Sequence, residues 1–478
     1  MFEQYIPLLD ENNREPTPKL LKKIIDEFEP LKQRMINRYE RYKASEKGVP
    51  IFTREFKGDG NKDKVNNKLN NDFFSEIIDT KIGYMFGLPV AYSLDHEDEK
   101  VLKRIQDFLK ANHTEDTDAE TGKFASICGY GARLLYHDKP DGNERVMNIK
   151  PYEAIFLTNS SIAEPNYAMR CYPIKVIDGD DFKDGYKVEF YNETNIIEYT
   201  GEDLDKLVEI NRIPNLYKSV PLIGFPNNEE LQGDVDKAIS LIEGYDRAFS
   251  DVNSEIEQFR LAYMIFKGVD IDENTVEDLK KTGALDVGEN GEASFLTKNL
   301  NDDILEHHLD RLEKNICRFT KHVNLTDESF GSNLTGVAIR YKLLALETKS
   351  GTLEVKFTKS LRQQFKLLFD AWNLRSNKSE LDYLCMTFQF TRNIPVNLAD
   401  EADVQGKLQG LMSEETRLSL FSAVHDPKAE IQKMLEEEAD SINLDSVHKG
   451  GDTNGVGHET ETPSKDRGRT GKGDTLPV

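Results

Sequence analysis

Eight apolar residues, Val235, Ala238, Ile242, Tyr245, Phe249, Val252, Ile256 and Phe259, recur at intervals of 3, 4, 3, 4, 3, 4 and 3. A heptad seam held over 25 residues dictates a straight helix of roughly 40 Å at 1.5 Å per residue, with one apolar edge that must find cover. A second seam, Leu305, Leu309, Leu312, Ile316, Phe319 and Val323, runs at intervals of 4, 3, 4, 3 and 4. Between them lie about 40 residues of another kind. LAYMIFKG, ALDV and ASFLTK read as short strands and TVEDLKKTG as a small helix. The two seams therefore predict a pair of long helices, leaving and returning, that carry a compact α/β tip.

The whole chain, at 478 residues, is long enough for about three domains. No stretch approaches the roughly 18 uncharged apolar residues of a membrane helix. The opening MFEQYIPLLDENNREP lacks the basic flank and apolar run of a signal peptide. Cys128, Cys171, Cys317 and Cys385 are far apart with no CxxC spacing, so neither a disulfide scaffold nor a zinc module is expected. Sixty-two bases face 86 acids, a net charge of -24. Tight binding to nucleic acid needs a basic surplus that neutralises phosphates. An acidic chain disfavours such a grip and leaves passage of DNA without retention open.

Along the chain, residues 17–45 read as two helices, TPKLLKKIIDEFEP and LKQRMINRYERYKASEKG, with Thr17 as N-cap and Pro18 at the first helical position. The second carries Arg34, Arg38, Arg41 and Lys43, a basic patch read first as a solvated helix face. Residues 54–71 look like a loop. Phe73, Phe74, Ile77, Ile78, Ile82, Met85 and Phe86 mark a helix that stops at Gly87 and Pro89, and further helices follow at 97–111 and 117–129. From Arg133 to Tyr199, the segments ARLLYHD, NIKPYEAIFL, YAMRCYPIKV, YKVEFYN and IIEYT predict an antiparallel sheet. A long helix runs from Val337 to about Leu374 through Tyr341, Leu344, Leu353, Phe357, Leu361, Phe365, Leu368 and Trp372, with a kink at Gly351. Residues 380–392 return to strand character, 398–438 are helical and charged, and 441–478 should be disordered. The fold class is α+β, predominantly helical.

Catalytic signatures are missing. There is no GxxxxGK[ST], HExxH, GxSxG or GxGxxG, and adjacent His307 and His308 do not face one ligand. No enzyme, cofactor or metal is expected. Arg311, Lys314, Arg318 and Lys321, at intervals of 3, 4 and 3, form one basic edge beside the second seam. Three readings compete for it: complementing the helix dipole, since Asp302, Asp303 and Glu306 open the same helix; pairing with the first seam helix, whose Asp234–Arg260 stretch holds seven acids and three bases; or facing a nucleic-acid path.

Four stretches carry a resemblance. The first is Asn70-Asn71, Ile78-Asp79, Lys81, Gly83-Tyr84, Phe86-Gly87 and Pro89-Val90. The second is Ala125-Ser126-Ile127 with Gly129-Tyr130-Gly131. The third is Val220-Pro221-Leu222-Ile223 with Phe225-Pro226-Asn227-Asn228. The last is Phe330-Gly331-Ser332-Asn333 followed by Thr335-Gly336-Val337-Ala338-Ile339. In this order around the helix–tip–helix module, the chain from about residue 20 to 435 resembles the portal proteins, the head-to-tail connectors of tailed bacteriophages, of the type found in siphophages of Gram-positive hosts.

The resemblance implies a ring-forming fold with wing (1–230), stem helices (231–260 and 301–323), clip (261–300), tunnel loop (324–336), long kinked helix completing the wing (337–399) and crown (400–440). Tunnel-loop residues Glu328, Ser329, Phe330, Gly331, Ser332 and Asn333 would project toward DNA, and Arg311, Lys314, Arg318 and Lys321 are candidate channel-lining bases. The implied partners are further copies in a ring, usually a dodecamer, double-stranded DNA passing without sequence specificity, the terminase large subunit, scaffolding protein, major capsid protein and a head-completion or adaptor protein, with no membrane. The implied location is the capsid portal vertex of the virion, and the host cytoplasm during assembly. Two other classes compete: a coiled-coil adaptor dimerising through the seams, and an enzyme with an unrecognised site in the 130–200 sheet region.

Overall fold

The computed structural model describes residues 1–55, 65–95, 98–138, 142–178, 181–259, 263–267, 292–296, 302–324, 336–376, 382–394, 398–421, 423–424 and 426–448. They form a mixed α+β structure in two compact units, Met1–Asn397 and Leu398 onward.

After a short α1 (Ile6–Glu11), helix α2 runs without a break from Pro18 to Tyr42. Thr17 caps it as expected, its hydroxyl accepting from the Leu20 amide. The expected break at Pro30 does not occur. Proline removes one N–H and crowds the preceding turn, but Leu21, Ile24, Ile25, Phe28 and Met35 place buried side chains on both sides of it. That continuous burial outweighs one lost hydrogen bond.

Helices α3 (Phe73–Phe86), α4 (Glu99–Ala111) and α5 (Thr114–Cys128) follow. Asp98 caps α4 through the amides of Lys100 and Val101. Gly129 ends α5 with φ +97°, and a Cβ there would meet the Leu231 carbonyl oxygen at 2.0 Å. Only glycine fits that turn.

The antiparallel sheet region is present and larger than the sequence suggested. Strands β2 (Tyr130–His137), β3 (Glu144–Ile149) and β9 (Leu222–Pro226) form one sheet in the order β3-β2-β9. Strands β4 (Ala154–Leu157), β5 (Tyr167–Asp178), β6 (Asp181–Tyr191), β7 (Asn195–Gly201) and β8 (Val208–Pro214) form a five-stranded meander. Its inner face, with Ile155, Leu157, Met169, Val188, Phe190 and Ile197, packs on α1 and α2. A two-stranded sheet pairs β1 (Ala91–Leu94) with β12 (Met386–Gln389).

The first seam lies on α6 (Ile239–Phe259) and the turn before it, the second on α7 (Asp302–Thr320) and the residues after it. Between them, only β10 (Tyr263–Lys267) and β11 (Glu292–Leu296) are described, as an antiparallel pair. The expected ALDV strand and TVEDLKKTG helix lie outside the described residues, as does the segment 325–335 with Glu328–Asn333.

Helix α8 spans Gly336–Ser376 and continues through Gly351. Leu353, Phe357, Leu361, Phe365, Leu368 and Trp372 are buried as expected, but Tyr341 and Leu344 are 75% and 59% exposed. The inward stripe is Leu343, Leu346, Ser350, Leu353, Phe357, Ser360, Gln364 and Leu368, at intervals of 3, 4, 3, 4, 3, 4 and 4. Three polar residues within it hide the pattern. Ser360 donates to the Gly224 carbonyl at 2.8 Å, and Gln364 accepts from Arg133 at 2.9 Å.

The second unit contains α9 (Leu398–Leu408), α10 (Glu414–Ser419) and α11 (Pro427–His448). Helix α11 passes the boundary at Ser441 where disorder was expected and ends eight residues into that tail, because nothing between Ser441 and His448 breaks a helix.

Phe357→Ala should cost about 3–5 kcal/mol of unfolding free energy by leaving a buried cavity. Val355→Ala, two positions away but 70% exposed, should change it by less than about 0.5 kcal/mol. Urea denaturation of both variants tests which face of α8 is core.

Candidate functional site

The elements converge where α6 begins and α7 ends. After β9, Asn227 and Asn228 fold the chain into a tight turn. Asn228 accepts from the Gln232 amide and donates to the Gln232 carbonyl, both at 2.8 Å. Asn227 donates to the Gln232 carbonyl at 2.9 Å and to the Asp234 carboxylate at 3.0 Å. The turn delivers Asp234, whose own amide donates to the Ser126 carbonyl at 2.8 Å, into the protein interior.

Two ammonium groups meet that carboxylate. Lys81 of α3, 1% exposed, lies 2.9 Å from it and also donates to Asn227 at 2.9 Å. Lys349 of α8 lies 3.3 Å from it and donates to the carbonyl of Thr320, the last residue of α7, at 2.8 Å. One carboxylate therefore joins α3, α5, the post-β9 turn, the root of α6, the end of α7 and the middle of α8. Burial alone would raise the Asp234 pKa, but Lys349 and Lys81 with the hydrogen bonds from Asn227 and Lys81 outweigh it. They hold the carboxyl well below its ordinary 3.8. For Lys349, burial prevails over Asp234 and brings the ammonium from 10.5 down to about 8.

Beyond Asp234, α6 is held along one edge. Arg38 and Arg41 of α2 are buried, 2.8 Å from Asp236 and 2.8 Å from Glu243. Two residues of the basic patch read as a solvated face, Arg38 and Arg41, therefore clasp α6 and the turn before it, while Arg34 and Lys43 are exposed as expected. The extended segment 67–71 runs alongside. The amides of Asn67, Leu69 and Asn71 donate to Ser254, Ser250 and Asp246 at 2.8, 3.0 and 2.8 Å. The fit is geometric: two extended residues advance about 6.6 Å and four helical residues about 6 Å, so alternate amides meet successive turns. Phe73 packs edge-on against Tyr245 at 5.1 Å.

The end of α7 is equally fixed. Lys321 adopts φ +57°, and the His322 amide donates to the Cys317 carbonyl at 2.9 Å, closing the helix as glycine usually does. His322 pairs with Glu76 of α3 at 3.3 Å, and its hydrogen bond holds the Glu76 carboxyl low. Val323 packs with Tyr84, Leu343 and Leu346. Arg392 meets Glu347 at 2.8 Å and Glu354 at 2.5 Å, while Tyr84 donates to Glu347 at 2.6 Å. The residues flanking 325–335 are thus tied to the body.

The seams change character along their length. Val235, Ala238, Ile242, Ile316 and Val323 are buried. Tyr245, Val252, Leu305, Leu309 and Leu312 are half-buried. Phe249, Ile256 and Phe319 are 38%, 51% and 51% exposed, and the Phe259 side chain lies outside the described residues. Arg311, Lys314, Arg318 and Lys321 are all exposed, with Lys314 paired to Asp310 of its own helix at 3.3 Å. Among the described residues none forms an ion pair with α6, which removes the pairing reading. The acids of α6 are engaged by Arg38, Arg41, Arg54 and Asn67 instead. Lys81 and Asn227 stood within the stretches singled out in the sequence, without a stated role. In the sequence Asp234 reads only as one of the acids of the first seam helix, and nothing marks Lys349, because one lysine beside a helix core stripe has no distinguishing pattern.

No helix among the described residues is long and apolar enough to cross a membrane, and none of these residues form a group of three or more His, Cys, Asp or Glu that could hold a metal. Buried charges thus fix two helices at their root, and apolar side chains are left open along them. Comparison with known proteins gives the family. Residues 21–444 match the family of phage portal proteins described as SPP1 Gp6-like, and the chain belongs to it. The portal protein of Bacillus phage SPP1 is 25% identical over 451 residues, covering 88% of this chain and 87% of the relative. The portal protein of Clostridium phage phiCD119 is 25% identical over 421 residues, covering 84% and 90%. Portal proteins are structural rather than catalytic: they are head-to-tail connectors, ring oligomers at the capsid vertex that pass DNA.

The pKa directions give a test. Below about pH 4 the unfolded chain takes up a proton that folded Asp234 refuses, so its contribution is present above that pH and lost on acidification. Asp234→Asn should flatten the acid limb of stability, and Asp234→Ala should cost about 3–5 kcal/mol by leaving Lys81 and Lys349 unanswered. Between about pH 8 and 10.5 the unfolded chain holds the proton that folded Lys349 has released, so stability from this group rises with pH. Lys349→Met should remove that rise in urea titrations across the interval.

Proposed function

We propose that this chain forms the portal ring of a tailed phage, a dodecamer that serves as conduit for packaging and ejection of double-stranded DNA and nucleates procapsid assembly. The observation that carries this reading is the family match across 21–444, with the partly open seams of α6 and α7 as its physical counterpart. Exposed Phe249, Ile256 and Phe319 suit a heterologous contact in which one subunit's stem packs on the next, a contact that closes into a ring at a fixed rotation.

In this reading residues 1–230 and the stretch after 337 are the wing, α6 and α7 the stem, 261–300 the clip that docks the terminase large subunit, and 400–440 the crown. Scaffolding protein, the major capsid protein and a head-completion protein are further partners, met in the host cytoplasm before the virion is complete. Arg311, Lys314, Arg318 and Lys321 are free to face the channel, where a few cations in an acidic wall retain a duplex weakly enough to let it move. Glu328–Asn333 form the tunnel loop.

Two outcomes are expected. Replacing Phe330 and residues 331–333 should leave rings intact and lower DNA packaging in an in vitro assay; normal packaging would remove the loop assignment. Phe249→Ser with Ile256→Ser should leave the thermal stability of the unassembled subunit nearly unchanged and prevent ring formation in sedimentation. Rings from the double variant would exclude these residues from the subunit contact.

A further inference from the structure

A cavity of about 290 Å³ opens at the root of α6, lined by Lys81, Lys237, Lys321 and Lys349 against Glu230 and Asp234. In a chain of net charge -24, four cations against two carboxylates is a local inversion of sign. A larger cavity of about 710 Å³ does not share it, pairing Arg54 and Arg247 with Glu55, Glu243 and Asp246. The surplus has two layers. At the wall, buried Lys81 and largely buried Lys349 share the single Asp234 carboxylate. At the mouth, Lys237 and Lys321 are exposed, and among the described residues neither has an ion-pair partner.

We propose that this cavity is a phosphate-binding site, in which one phosphate group bridges Lys237 at the entry to α6 and Lys321 at the exit of α7. Free phosphate offers about -1.5 to -2 charges and several acceptor oxygens, enough to answer both mouth lysines, and a phosphodiester of DNA offers a single charge shared by its two non-bridging oxygens, one toward each mouth lysine. The volume admits the group with its residual water. Lys81 and Lys349 direct their hydrogen bonds to protein acceptors, so they supply field while the mouth lysines supply donors. The ammonium of Lys349 is brought down to about 8, by burial first, with Lys81 and Lys321 adding to it against Asp234, consistent with a site short of negative charge. Occupancy would tie the two stem helices together at their root. The group has two sources, free inorganic phosphate or a phosphodiester of DNA.

The test uses the full chain and its melting temperature. Inorganic phosphate at about 20 mM is compared with chloride at equal ionic strength, and separately a short random-sequence duplex is added. Lys237→Ala with Lys321→Ala removes the mouth cations, which are exposed and without an ion-pair partner among the described residues. Lys19→Ala with Lys103→Ala removes equal charge outside the cavity and away from the proposed channel bases. Phosphate should raise Tm by about 2–4 °C in the parent and the Lys19/Lys103 variant and not in the Lys237/Lys321 variant. The same pattern with duplex alone would identify a DNA phosphate as the occupant and also support the site. No shift with either, or equal shifts in both variants, would overturn it.

Discussion

The Asp234 carboxylate, shared by Lys81 and Lys349, is the contact on which the rest of the structure depends. Burying a carboxylate and two ammonium groups is costly, and the cost is tolerated only because their hydrogen bonds are answered: by Asn227 for the carboxylate, by Asn227 and Ser126 for Lys81, and by the Thr320 carbonyl for Lys349. An apolar cluster in the same place would be slippery in rotation. A directional ionic one fixes the angle at which α6 leaves and α7 returns. The acids and serines of α6 then extend that constraint along one edge through Arg38, Arg41, Arg54 and the amides of 67–71.

That division of labour explains why the apolar seams can stay partly open. Because polar contacts hold one edge of α6 against the body, Phe249 and Ile256 can keep part of their surface open to another molecule. The same holds for α7, whose end is fixed by Lys349, His322 and Val323 rather than by Phe319. A subunit that must be stable before assembly and adhesive during it requires this separation. It also places the anchors beside 324–336, the segment proposed here as the tunnel loop.

Much of the architecture is readable from the chain because long elements leave long patterns. Both seams, the Thr17 cap, the helix of α3, the antiparallel meander and the aromatic half of α8 follow from periodicity and capping chemistry. What escapes the sequence escapes for physical reasons. Burial on both sides of Pro30 overrides its breaking tendency. Ser350, Ser360 and Gln364 are buried polar residues within the stripe, and so disguise the pattern that turns Tyr341 and Leu344 outward. Strand β8 is exposed along its whole length, so it lacks the apolar alternation that marks a half-buried strand, and Ile210 is an extra residue between the pairs Glu198–Asn211 and Tyr199–Glu209, which breaks its register. Arg38 and Arg41 look like solvated cations because their partners lie about 200 residues away. The Asp234 hub is assembled from five separate segments, and no local pattern announces it.

The central claim is that open stem seams on a rigidly held root close a ring. Native mass spectrometry of the purified protein, with negative-stain images of the same sample, tests it most directly. The account predicts a particle of about twelve subunits with a central hole. A discrete dimer without a hole would contradict it and return the seams to an adaptor that pairs by simple coiled-coil contact.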